Sequence, residues 1–171
     1  MINKWKIYGK FSGKKGKSIQ NLKHRFCGGK EELMASITRR AARECALKAL
    51  YSFDFNPETD PVLYFALVCA EGEIPTNDFA ATLFQGVVQH KEEIDNKITE
   101  HTKGWKIERI ARVSLAILRL CTYELMFTDV PQPVALNEAV ELAKLYGHDE
   151  APSFVNGILN AVANDIGKKK A

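Results

Sequence analysis

The sequence predicts an all-α protein, and three observations carry that expectation. Apolar residues recur at helical spacing from about residue 37 onward, and no stretch alternates apolar and polar as a half-buried strand would. Caps and breakers cut the chain into segments of helix length. At 171 residues, 46% of them hydrophobic and 26% charged, the chain can bury one sizeable core.

The first helix runs from about Ile37 to Phe53, with Ser36 or Thr38 as N-cap, and stops before Asn56-Pro57. A short helix follows Asp60-Pro61, where Pro61 suits a first turn, and reaches about Ala70. Gly72 and Pro75 break the chain, Thr76 or Asn77 can cap, and a long helical region covers Asp78 to about Thr102, bent near Gly86 to His90. Lys103-Gly104 ends it. The next helix, from about Ile107 to Phe127, stops at Asp129-Val130-Pro131-Gln132-Pro133. Ile110, Ser114, Ile117, Cys121 and Leu125 fall on one side of it and Val113, Leu120 and Phe127 on another, so it belongs at the centre of the fold. A helix from Val134 to Tyr146 closes at Gly147, and the last begins near Pro152 and ends in Gly167-Lys168-Lys169-Lys170. Asn137-Glu138, just inside a helix after two prolines, is placed to tie down the preceding loop.

Net charge divides the chain. Residues 1–33 carry nine lysines and arginines against Glu31 and Glu32, a balance of +7; the whole chain is +3, so the remainder is −4. The segment is rich in Gly, Ser and Lys and poor in periodic apolar residues, which reads as a disordered basic extension over 1–33 ahead of a folded domain over 34–171. Two readings of it stand: an extension upstream of Met34, or a basic arm that attracts nucleic acid without specificity.

Several function classes are excluded. The apolar runs are short and interrupted by charge, so no segment spans a bilayer, and the N-terminal lysines lack the apolar block of a signal peptide. A cytoplasmic protein with no membrane partner is expected. Cys27, Cys45, Cys69 and Cys121 form no CxxC pair, and the last three fall on apolar helical positions, as reduced buried thiols do. His24, His90, His101 and His148 show no metal-ligand spacing, and no Gly-rich phosphate loop follows a strand. Neither a catalytic constellation nor a cofactor or metal site is expected, so the chain reads as a binding protein rather than an enzyme.

One pattern invites a functional reading. Ala42, Cys45, Ala46, Ala49, Leu50 and Phe53 form the core stripe of the first helix, and Arg39, Arg40, Arg43 and Tyr51 occupy a contiguous strip beside it. Three arginines at a helix start oppose the macrodipole unless an anion neutralises them. Arginine forks suit phosphates, and a tyrosine offers a face to an unpaired base. A solvated charged face remains the competing reading. Arg112 and Arg119 lie on the narrow polar face of the central helix and need partners there, either an internal carboxylate such as Glu124 or Glu138 or an RNA phosphate. Phe154 either shields a core edge or stacks on a base.

RRAARECALKALYSF, FAATLFQGVV, LAILRLCTYEL, DVPQPVALNEAVELAKLYG and SFVNGILNAV, in that order, resemble the blocks of the bacterial transcription antitermination factor NusB family over about residues 36–166. The resemblance implies two small helical subdomains packed together and a non-enzymatic role. It implies binding of single-stranded boxA RNA of ribosomal RNA leaders, jointly with the small-subunit ribosomal protein NusE, in an antitermination complex on RNA polymerase. It further implies RNA-contacting roles for Arg39, Arg40, Arg43, Tyr51, Arg119 and Phe154. Replacing Arg40 or Arg43 by Ala is then expected to weaken RNA binding with little change in stability. Two positions depart from the family pattern: Ala41 replaces a third consecutive arginine, and Ser114 replaces a glutamate in a region resembling the partner-binding surface. The same domain also occurs fused to ribosomal RNA cytosine methyltransferases, so a fragment of such an enzyme is the alternative; it requires a catalytic domain beyond Ala171.

Overall fold

A computed structural model of the chain describes residues 37–71, 76–102 and 106–170. The basic segment 1–33, with His24 and Cys27, lies outside the described residues. Among the described residues the secondary structure is helical throughout: α1 (Arg39–Phe53), α2 (Pro61–Glu71), α3 (Asp78–Gln89), α4 (Lys91–His101), a 3-10 turn (Ile107–Arg109), α5 (Arg112–Phe127), α6 (Gln132–Tyr146) and α7 (Ala151–Lys170).

Local chemistry explains the boundaries. Thr38, in extended conformation, caps α1 by accepting from the Ala41 N–H at 3.1 Å. Asn77 does the same for α3, accepting from Ala80 at 2.9 Å, and Asp60 accepts from the Leu63 N–H at 2.8 Å ahead of α2. The expected bend in the long third segment falls at His90, whose φ of −102° and ψ of 19° separate α3 from α4. The central helix starts later than its periodicity predicts. Ile110 and Ala111 are extended, with ψ of 133° and 130°, so the segment from Ile107 forms a single 3-10 turn and α5 begins at Arg112. α6 starts earlier, at Gln132, because Pro133 falls in a first turn, where a missing N–H costs no hydrogen bond. Gly147 ends α6 by donating to the Ala143 carbonyl at 2.9 Å. Its φ of −84° is open to any residue, so the requirement is space: a Cβ there would meet the Ala151 Cβ at 2.4 Å.

α5 is the axis of the molecule. α1, α3 and α4 on one side of it in the chain and α6 and α7 on the other all pack against it, α4 also meets α7, and α2 touches only α1 and α3 among its closer neighbours. The four helices before α5 and the two after it are the N-terminal and C-terminal groups, and one apolar cluster runs through both, from Ala42 and Phe84 through Ile117 and Leu118 to Val155 and Leu159. Cys45, Cys69 and Cys121 are free and buried within it, with the Cys45 and Cys69 sulfurs 3.7 Å apart. No described helix is long and apolar enough to cross a membrane.

Two close contacts join the N-terminal helices to α5 and α6. Gly86 on α3 faces the Tyr123 ring on α5 so closely that a Cβ would lie 2.1 Å from it. On the other flank, Tyr146 of α6 donates its hydroxyl to Glu44 of α1, which also pairs with Lys48 at 2.7 Å. Burial, and then the bond to Glu44, push the Tyr146 phenol up to about 12.

Gly86→Ala is expected to destabilise the fold by about 1–3 kcal/mol through overpacking, read as a lower denaturation midpoint. An unchanged midpoint would mean that the Tyr123 ring can step aside. The raised Tyr146 pKa favours the neutral phenol in the folded state, so its contribution is full below about pH 10 and is lost as pH rises toward 12. Stability of the native chain should therefore fall more steeply across that window than stability of Tyr146→Phe. Parallel curves would show that the hydroxyl does not couple to folding.

Candidate nucleic-acid interface

The arginines at the start of α1 differ sharply in what surrounds them. Arg39 is exposed, and its guanidinium lies over the Phe79 ring of α3, 4.1 Å from the centroid. Arg40, with 52% of its side chain exposed, donates from Nε and Nη2 to Glu138 of α6, both at 3.2 Å. Those bonds raise the Arg40 pKa further. Arg43 is only 4% exposed. Its Nε sits 3.0 Å from both oxygens of Glu124 on α5, and Nη2 is 2.8 Å from Oε1. Glu124 is itself 1% exposed, and Glu138 completes the surroundings with an oxygen 3.9 Å from Arg43 Nη1.

This corrects two expectations. Arg43 is not a surface arginine that can be replaced at little cost, because α5 crosses α1 at that point and closes over the strip's inner edge. Glu138 does not tie down the loop before α6; it faces α1 between two arginines.

Arg119 is buried in the same manner, 8% exposed. Its Nε and Nη2 form a fork on Asp95 of α4 at 2.7 and 2.9 Å, and Nη1 reaches Asp54, the residue after α1, at 3.1 Å. Burial opposes its charge, yet the bonds to Asp95 and then the Asp54 charge outweigh it and leave the pKa raised. The internal carboxylates considered for Arg119 were Glu124 and Glu138; the actual partners are Asp54 and Asp95, which carry no periodicity signal because they sit at a helix end and on a polar face.

The aromatic positions stay accessible. Tyr51 is half-buried and meets Phe55 edge-on, ring centroids 5.7 Å apart. Phe55 is 55% exposed, and the Arg112 guanidinium lies over it at 4.5 Å. Phe154 packs against the core and lines a surface cavity with Arg109, Ile110, Ala111, Ser114, His148 and Glu150. The first turn of α5 thus stands between two features, with Arg112 reaching Phe55 on one side and Ser114 facing the cavity on the other. Phe55, Phe79 and Arg109 were not singled out from the sequence; an aromatic just past a helix end and a cation before a helix start were the available signals.

What the arrangement offers is an accessible strip of cations and rings (Arg39, Arg40, Tyr51, Phe55, Arg112) laid over two buried arginine–carboxylate clusters. One described group has metal-ligand geometry, Glu100, His101 and Asp165, but the Lys97 ammonium already bonds both carboxylates. Arg43→Ala is expected to lower stability by about 3–5 kcal/mol, because it strands Glu124 as an unpaired buried charge. Arg39→Ala should cost about 1 kcal/mol or less, the scale of an exposed cation–π contact. Equal denaturation midpoints for the two variants would contradict this division.

Comparison with known proteins agrees with the fold. A model of the NusB family matches residues 40–164. The transcription antitermination protein NusB of Geobacter sulfurreducens is 45% identical over 134 residues, covering 77% of this chain and 97% of the relative. The solved structure of T. maritima NusB superposes with a TM-score of 0.68 at 31% identity, over 77% of this chain and 94% of that one. A structure of the antitermination factors NusB and NusE in complex with double-stranded RNA gives a TM-score of 0.65 at 33% identity, over 74% and 96%. With helices, order and sequence blocks all in agreement, the chain belongs to the NusB family.

Proposed function

We propose that this chain is a transcription antitermination factor that binds single-stranded, boxA-like RNA of ribosomal RNA leaders together with a NusE-type ribosomal protein, and acts with it on RNA polymerase. The observation that carries the reading is the accessible strip of arginines and aromatic rings on α1 and at the start of α5, in a member of a family named for antitermination. A relative solved with NusE and double-stranded RNA supports RNA and a NusE-type protein as partners, and the single-stranded form rests on the unpaired-base faces of the exposed rings.

Within this reading the six residues divide by burial. Arg39 and Arg40 meet phosphates, and Tyr51 and Phe154 take bases. Arg43 and Arg119 are positioning residues: each is already held by carboxylates and acts by fixing α1, α4 and α5 beneath the strip. Arg40 is available despite its pairing, because an exposed ion pair is worth about 0–1 kcal/mol and a phosphate can displace Glu138 cheaply. Residues 34–171 are net −4, so local cations work against the global charge and the domain alone attracts RNA poorly. A basic partner docked beside the strip supplies further phosphate contacts and raises the effective affinity. By reciprocity, RNA tightens the protein–protein complex by the same factor.

Arg39→Ala and Arg40→Ala should each weaken single-stranded RNA binding and reduce the salt slope by about 0.7. Tyr51→Ala and Phe154→Ala should cost about 1–3 kcal/mol of stacking at an unchanged slope. Unaltered affinity in all four variants would return the strip to a solvated face, and equal RNA affinity with and without the NusE-type protein would remove the coupling.

A further inference from the structure

Cys45 on α1 and Cys69 on α2 bring their sulfurs to 3.7 Å across 24 positions of sequence, and RNA binding makes no use of them. Both are buried, free thiols. A disulfide needs a sulfur separation of about 2.05 Å, so the two must close by about 1.7 Å. α2 is the helix placed to move. Among its closer neighbours it touches only α1 and α3, through Tyr64 against Phe53 and Phe65 against Phe84, each pair with ring centroids 5.1 Å apart. Its outer face is open, with Val62 and Leu63 exposed. An element held by so few neighbours opens at lower cost than the core helices, and that opening admits a small solute to the sulfurs.

The two thiols are not equivalent. The Cys69 S–H lowers the Cys45 pKa by donating to its sulfur, against burial, and the Thr76 hydroxyl and the Lys48 ammonium act in the same direction. Cys69 is pushed the other way, first by that same bond and then by burial. Thr76 marks the site independently. Its hydroxyl is buried beside both sulfurs, yet its contact with them falls short of an ordinary hydrogen bond, and no other described group satisfies it. Such a donor is placed to stabilise a thiolate when one forms. Cys121 differs: burial and then the Glu124 charge raise its pKa, so it stays a thiol.

We propose that Cys45 and Cys69 form a reversible redox pair, which hydrogen peroxide closes into a disulfide stapling α2 to α1 and a small thiol reductant reopens. The Cys45 thiolate attacks one peroxide oxygen; the O–O bond breaks, hydroxide leaves and takes up a proton as water, and Cys45 becomes a sulfenic acid. The Cys69 sulfur then attacks the Cys45 sulfur, the S–O bond breaks, and the departing hydroxide leaves with the Cys69 proton as a second water. Two thiols lose two electrons in all, and the peroxide gains them. The pair goes beyond RNA binding and stands whether or not the chain binds RNA.

The test uses the full chain, reduced, desalted and treated with hydrogen peroxide at neutral pH without denaturant. Remaining thiols are then alkylated in guanidinium, and disulfides are located by peptide mass mapping. The expected map joins Cys45 to Cys69 and leaves Cys121 alkylated. A ring closed over this separation should raise the melting temperature by about 5–10 °C, and dithiothreitol should return it to the starting value. Cys69→Ala should show no link and no rise above its own reduced baseline. Should that variant not fold, the native-chain map decides. Cys27→Ser should behave as the native chain does, which separates the pair from links made by Cys27. If Cys45 and Cys69 are recovered alkylated, or as sulfinic acids without a link, or joined to Cys27 instead, the pair is overturned. A Cys45–Cys69 link that leaves the melting temperature unchanged or lower would show that the sulfurs meet only in a distorted fold, and would overturn the staple as well.

Discussion

The buried pairing of Arg43 with Glu124 is the constraint around which the molecule is organised. Two groups of opposite charge, each more than nine-tenths buried, are joined through a guanidinium fork that spans α1 and α5. Removing either partner alone leaves an uncompensated charge in the core, so the pair fixes the register of the two helices more strictly than apolar contacts could. Apolar residues along α1 tolerate small slides; a fork on a carboxylate does not. Every accessible side chain on α1 inherits its position from that register.

Arg119 repeats the device one turn and a half before Glu124, linking α5 to α4 through Asp95 and to the end of α1 through Asp54. Between them the two clusters brace the C-terminal and N-terminal parts of the strip from beneath. Cations therefore serve two purposes in this protein. Those pointing inward set the geometry of the surface, and those pointing outward (Arg39, Arg40, Arg109 and Arg112) include the ones that the proposed function assigns to phosphates. The N-terminal dipole of α1, which three arginines oppose, is tolerable because Glu124 and Glu138 already neutralise two of them.

Most of the fold was legible in the sequence, because helix periodicity and caps are local properties. Thr38, Asn77 and the breakers around Pro131 and Gly147 are visible within a few residues of the ends they define. The start of α5 was misread because Ile107 and Ile110 continue the apolar spacing through residues that are extended; periodicity does not distinguish a helix from a 3-10 turn followed by two extended residues that happen to bury the same side chains. The site was legible only in part. Helical geometry gathers Arg39, Arg40, Arg43 and Tyr51 into one strip, but burial of Arg43 depends on a residue 81 positions away, and the partners of Arg119 come from two other segments. Long-range pairing of this kind leaves no trace in spacing. The cavity at the start of α5 is likewise a product of two helix ends meeting, with Ser114 standing out in the sequence only as a departure from a family pattern.

The claim that Arg43 sets the surface without touching RNA is tested most directly by the salt dependence of RNA binding in the double variant Arg43→Met/Glu124→Leu. Replacing both charges by apolar groups of similar size avoids a stranded carboxylate and leaves α1 packed on α5. The account predicts a folded protein whose salt slope equals that of the native chain, since no phosphate contact has been lost. A slope reduced by about 0.7 in a variant of native stability would show that Arg43 meets a phosphate, and would contradict the account.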